Sequence, residues 1–420
     1  MRTPRPPTTS PLELLQTAVQ VARRPGSTAE ELDPFTAALA RQCPDLDLPG
    51  LEPLVDDAVH RCYDRGWQPA DLVHVTGRRT SRRAARLVGS ALLAEAERSR
   101  AADRAPREWV EQLATLPGPA SGASGWWARS GLDAATGWRD LVRVLALLTG
   151  LPALQALLPG PAAWPRHHRA TSSARPVPGP VDEKVLGRVR GLLAKAERTE
   201  FAEEADALTA KAQELMSRYA IDHAVLAGAQ VGGPGVGADV VARRLHLTDP
   251  FTGAKAALLH AVADPNGCQV VLLRDLGIAT VVGLPVDVAL VELLFTSLLL
   301  QATRALSGDA PPGTNPSPVY KRGFLLAYAT RIGERLTEAG DRATAEASAE
   351  HGRSVLPVLA RRQAAVADRV TELFPHVRRS RRRTVDPEGW WAGRRAADTA
   401  DLGAPRTPLA PGPPPSRAHV

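Results

Sequence analysis

Apolar positions recur at helical spacing through most of this chain. In residues 11–115, Leu12, Leu15, Val19 and Ala22 fall on one face, and Pro25-Gly26 marks a stop. A second run, Leu54 to Tyr63, ends at Gly66; Ser81 to Arg100 reads as an arginine-rich helix, and 132–158 adds one or two more. The clearest stripe lies in 181–226. Val185, Leu186, Val189, Leu192, Leu193 and Ala196 line one helix, and Ala205, Leu208, Ala212, Leu215, Met216 and Tyr219 line the next. Two amphipathic helices joined by about four residues predict an antiparallel αα-hairpin. Leu192, Leu193, Leu208, Leu215 and Met216 are expected to be buried together in it.

The period changes after residue 238. Val241, Arg243, Leu245 and Leu247 alternate, which predicts a strand. Phe251 to Ala263 is helical and stops at Asp264-Pro265-Asn266-Gly267. Residues 268–273 and 278–284 read as two strands joined by a tight connection, and long apolar helices cover 286–306 and 319–349. The fold class expected is helix-rich α+β. An all-α N-terminal region and the αα-hairpin precede a small antiparallel sheet packed with long helices.

Pro- and Gly-rich stretches punctuate these patterns, because they bury too little apolar area to offset their ordering entropy. They divide the chain into a tail (1–11), an all-helical domain (12–158), a Pro-rich linker (159–180), the hairpin (181–227), a Gly-rich linker (228–237), an α+β domain (238–375) and a basic, Pro-rich tail (376–420).

Composition narrows the class. The chain has 420 residues, 44% of them hydrophobic and 23% charged, which excludes a collagen, a coiled-coil rod and a disulfide-stapled mini-protein. Cys43, Cys62 and Cys268 are odd in number and lack CxxC spacing, as expected of reduced thiols in the cytoplasm. The N-terminus MRTPRPPTTSP has no apolar core of a signal peptide. The greasiest stretches, 144–158 and 288–300, are interrupted by Pro152 and Glu292, so no membrane span is expected.

Residues 184–222, KVLGRVRGLLAKAERTEFAEEADALTAKAQELMSRYAID, resemble the bacterial and phage domain-of-unknown-function family 2786. Glu204, Ala205, Ala212, Gln213, Leu215, Met216 and Tyr219 match its second helix; the acidic turn TEFAEEAD replaces the polar turn of many members. The following order of helix, hairpin and apolar helix, with YKRGFLLAYATRIGERL, looks like the companion domain of unknown function 7168. GWQPADLV (66–73) looks like an actinobacterial N-terminal extension. The resemblance implies an architecture and a bacterial or prophage origin. It implies no reaction, and its phage membership leans toward nucleic acid by association alone.

Candidate chemistry is sparse. No HExxH, HxH or HxxxH occurs, so no metal ligand set is predicted. GGPGVG (232–237) lacks the GK[ST] of a phosphate loop, and GxSxG is absent. No catalytic residue, cofactor or metal is assigned. The hairpin carries nine acids and seven bases over 182–226, too near neutrality to hold phosphate by itself.

The formal charge is +7, and with only five lysines, 47 of the 52 bases are arginine. A GC-rich genome accounts for that abundance, so only clustering argues for function. Two clusters stand out. Arg79, Arg82, Arg83 and Arg86 would share one face of a continuous helix. Arg378, Arg379, Arg381, Arg382 and Arg383 precede Trp390-Trp391, a pairing of charge and aromatics that suits a phosphate backbone with base stacking, with Trp390 as the stacking residue. The expected function is non-enzymatic, non-specific association with nucleic acid or with a nucleic-acid-bound partner. A protein-interaction module using the hairpin's polar face is one alternative. An enzyme whose site no motif reveals is the other.

Overall fold

The computed structural model describes residues 10–45, 48–117, 133–165, 180–198, 208, 211–216, 218–219, 240–308, 316–351, 355–376 and 387–399. The fold is helix-rich α+β, as the periodicity predicts. Close packing divides the chain into two units: residues 1–175 with 243–252 and 272–279, and residues 176–242 with 253–271 and 280–420.

The first unit is built on α1 (Pro11–Ala22), α2 (Ala29–Gln42), α3 (Leu51–Asp64), α4 (Pro69–Arg79), α5 (Arg82–Arg98), α6 (Ala101–Arg104), α7 (Arg107–Ala114) and α8 (Ala134–Gly150). Local chemistry sets several starts. Ser10 and Glu13 form a capping box before Pro11, and Thr28, Ser81 and Asp133 cap α2, α5 and α8 through their side-chain oxygens. Three tryptophans fill the centre: Trp67, Trp109 and Trp138 are at most 1% exposed. Buried indoles need an acceptor. Trp67 donates to the Pro152 carbonyl (2.7 Å) and Trp138 to the Cys43 carbonyl (3.0 Å). Gly66, at φ +83°, closes α3 where the Leu154 carbonyl lies 2.4 Å from the place a Cβ would occupy, so no side chain fits.

After α8 the chain is extended. A 3-10 turn at Pro161–Ala163 leads to Trp164, which is buried edge-on against Trp109 (ring centroids 5.4 Å). The start of the Pro-rich stretch is thus tied to the core by an aromatic; 166–179 lie outside the described residues.

Among the described residues one three-stranded antiparallel sheet occurs, in the order β1 (Val241–His246), β3 (Ile278–Gly283), β2 (Gln269–Leu273). The β2–β3 connection turns at Gly277, φ +66°. β3 is buried along its whole length. β1 departs from the alternation expected of it. Its one fully buried side chain is Arg244, while Val241, Arg243 and Leu245 are half-buried. The physical reason is a buried counter-charge, the Asp71 carboxylate of α4.

The second unit contains α9 (Pro180–Ala196), a helical segment α10 (211–216), α11 (Thr252–Ala263), α12 (Pro285–Gly308), α13 (Pro318–His351), α14 (Val355–Leu373) and α15 (Pro387–Thr399). Of the residues expected in the hairpin core, Leu193 and Met216 are buried, and Leu192, Leu208 and Leu215 are half-buried. Leu215 is corrected to a flanking position, because Ala212, Gln213 and Met216 form the buried side of α10. Gln213 donates to Asn266 Oδ1 (3.3 Å) in the turn after α11, and α9 packs on α12. The inter-helix turn, 199–207, and the Gly-rich stretch 228–237 lie outside the described residues.

α12 is long and apolar enough to cross a membrane, but 56% of its most apolar window is buried inside the protein, as in a core helix. α15 lies on α13 through Ala392, Gly393, Ala396 and Ala397. A Cβ on Gly393 would sit 2.1 Å from the Phe324 carbonyl oxygen. Gly393→Ala must therefore lift α15 from α13, and we expect about 1–3 kcal/mol of destabilisation in thermal or urea unfolding.

Candidate functional site

The arginines expected on one helix are divided between two. Arg79 is the last residue of α4, and Ser81 caps a new helix that carries Arg82, Arg83 and Arg86. The single-face expectation fails for a local reason: the Ser81 hydroxyl accepts from the Ala84 amide (3.0 Å) and starts α5 afresh. The four also differ in partners. Arg83 binds Asp140 of α8 through both Nε and NH2, and that carboxylate is 4% exposed. Arg83 is therefore a helix–helix tie. Arg79, Arg82 and Arg86 are exposed and make no ion pair among the described residues. Arg82 and Arg86, one turn apart, face the same way.

Neighbouring arginines are engaged. Arg78 reaches Asp249 (2.5 Å) and Thr252 (3.2 Å), and Arg98 bridges Glu52 and Asp56. The corner between α4 and α5 thus keeps three cations facing water. Arg378, Arg379, Arg381, Arg382 and Arg383 lie outside the described residues. Trp390 is on α15, its side chain outside the described set; Trp391, beside it, is 65% exposed.

A second cluster, within the first unit, escaped the sequence reading. Asp71, in the first turn of α4, is fully buried. Its Oδ2 accepts from Arg244 of β1 and from the Gln68 amide (3.0 Å), and its Oδ1 meets His246 Nε2 at 2.8 Å. Arg244 also donates to the carbonyls of Gly66 (2.9 Å) and Gln155 (2.6 Å). Burial alone would raise the Asp71 carboxyl. The His246 hydrogen bond and the Arg244 charge outweigh it and hold the group below the usual carboxylate range.

His74, one turn along α4 from Asp71, lies beside His246 with ring centroids 4.9 Å apart. Burial and the charges of His246 and Arg78 push its pKa down to about 4, against the Leu276 carbonyl bonded to its Nε2 (3.1 Å). It is neutral at pH 7. Five residues after His246, Phe251 is held at φ +67°, a left-handed conformation that costs a bulky side chain energy. The cluster joins α4 to β1 by charge. It offers a histidine oriented by a carboxylate, the arrangement of a general base, with no nucleophile beside it on the described residues.

Other chemistry is muted. Burial pushes the Cys62 thiol up to about 12 and the Cys268 thiol well above its ordinary value, so neither is a ready nucleophile. A cleft of about 570 Å³ opens between α1, α3 and α8, where Glu13 is tied to Ser10 and Arg61 to Asp57. Among the described residues no group of three or more His, Cys, Asp or Glu side chains is placed to hold a metal ion.

Residues 184–223 match the family model described as "Protein of unknown function (DUF2786)". The match spans 40 of the 420 residues, so it places the α9–α10 region alone. No curated protein and no solved structure matches the chain.

Proposed function

We propose that this protein associates with nucleic acid without sequence preference, through arginines that contact phosphates. One observation carries the reading: Arg79, Arg82 and Arg86 stay exposed and without an ion pair among the described residues, while Arg78, Arg83 and Arg98 beside them are paired. Arginine's planar fork binds phosphate bidentately, and a net charge of +7 favours a polyanionic partner. The run Arg378, Arg379, Arg381, Arg382 and Arg383 supplies a second group of phosphate contacts, with no acid between its members. Phosphate contacts position a protein without reading bases, so sequence preference is weak. The chain acts in the cytoplasm, no enzymatic step is assigned, and residues beyond 223 form the companion domain that the family resemblance implies.

Salt titration tests this. If the 378–383 run meets about 3–5 duplex phosphates, its share of the log–log salt slope is about −3 to −4.5. Changing Arg79, Arg82 and Arg86 to Gln should flatten the slope by about 2.7 and weaken every duplex alike, with the melting temperature unchanged. Wild-type binding that ignores salt, or no binding, rejects the reading. The protein-interaction module would then lead.

A further inference from the structure

We propose that His74 and His246 form a two-nitrogen site for a divalent transition metal, with Cu2+ as the favoured occupant. The site lies within the first unit and is independent of the nucleic-acid reading. His74 on α4 and His246 at the end of β1 have ring centroids 4.9 Å apart and planes tilted by 37°. Each ring is fixed through the same atom. His74 Nε2 meets the Leu276 carbonyl oxygen at 3.1 Å, and His246 Nε2 meets Asp71 Oδ1 at 2.8 Å. A carbonyl and an ionised carboxylate only accept, so both Nε2 atoms carry a proton and donate it. In the neutral ring the lone pair is then on Nδ1, which has no hydrogen-bond partner among the described residues in either histidine.

That is the outer shell of a metal-bound histidine. The N–H opposite the metal donates to a carboxylate or a backbone carbonyl, which sets the tautomer and orients the ring. Two adjacent histidines have it here, one with each kind of acceptor. The flanking cations are already matched, Arg244 by Asp71 and Arg78 by Asp249. The His246 side chain is 24% exposed, which leaves an ion a way in. Donor count selects the metal. No third His, Cys, Asp or Glu is placed to join the pair among the described residues, so a closed structural zinc site, which takes four side chains, does not fit. Imidazole suits copper, nickel and zinc, and at a given nitrogen set affinity is greatest for Cu2+, with water in the remaining positions. A bound ion would tie α4 to β1 beside the Asp71–Arg244 pair.

The test titrates Cu2+ into the metal-free full chain and records binding together with the electron paramagnetic resonance spectrum. Wild type is expected to take about one Cu2+ tightly, with two nitrogens coupled to it. His74→Gln and His246→Gln should each remove one nitrogen and weaken binding by more than the ~10- to 100-fold that loss of an outer-shell partner costs. Changing the adjacent pair His167 and His168 to Gln together should alter neither affinity nor spectrum. The wild-type spectrum decides even where a variant fails to fold: fewer than two coupled nitrogens, or no binding, overturns the site. Binding that survives in both single variants, that is lost in only one of them, or that the His167 and His168 change abolishes, overturns it as well.

Discussion

Asp71→Ala should destabilise the protein by about 3–5 kcal/mol, the cost of leaving a buried charge without its counter-ion. Arg244 is 3% exposed, and after the substitution it keeps only the carbonyls of Gly66 and Gln155 as partners. The same change strips His246 of its acceptor and the Gln68 amide of its cap. Urea unfolding followed by tryptophan fluorescence reads this directly, because Trp67, Trp109 and Trp138 are buried in the same unit. Removing both charges, with Asp71→Asn and Arg244→Met together, should cost less than the sum of the two single changes, because neither group is then stranded. A loss below about 1 kcal/mol for Asp71→Ala would show that water reaches Arg244 and that the cluster does not hold β1 to α4.

This cluster also marks the limit of what the sequence discloses. Helical periodicity carries α1, α3, α5 and α8 because each buries a stripe whose members are close in sequence. The β2–β3 pair was legible for the same reason, with two apolar runs joined by four residues ending in Gly277. β1 was legible as a strand but its inward side was not, since hydropathy scores an arginine as outward-facing. Arg244 turns inward only because Asp71, 173 positions away, supplies the charge it needs. A local signal did exist: Pro69 and Asp71 at the first and third helical positions mark an N-terminus, with Gln68 and Asp71 as a capping box. It locates the aspartate at a helix start but says nothing of its burial. The single face expected of Arg79, Arg82, Arg83 and Arg86 fails through the opposite error, because it runs across the break that Ser81 introduces. Composition likewise hid Trp164, whose proline-rich surroundings read as linker while its indole packs on Trp109.

The pH profile gives the second large effect, and its sign follows from His74. Folding lowers its pKa from 6.5 to about 4, so the folded state binds this proton less readily than the unfolded chain. Above pH 6.5 the imidazole is neutral in both states and contributes no pH dependence. As pH falls from 6.5 toward 4 the unfolded chain takes up a proton that the folded protein refuses, and stability declines. The full shift corresponds to about 3 kcal/mol, and partial solvent access to His74 reduces this to roughly 2. His260, lowered by partial desolvation although its residue is exposed, acts in the same direction, so His74→Gln should remove part of the acid limb and not all of it. His60 acts on the other side of 6.5. Its hydrogen bond to buried Glu95 raises its pKa, so the stability it gives is complete below 6.5 and is lost as pH rises through the folded value. Asp71, held below the ordinary carboxylate range, loses its contribution only in stronger acid. Urea midpoints from pH 4 to 8 should therefore fall on the acid side in wild type and flatten there in His74→Gln, with the limb above 6.5 unchanged. A variant whose acid limb matches wild type would mean that His74 protonates freely in the folded state, so that the Leu276 carbonyl and Asp71 outweigh burial and the charges of His246 and Arg78.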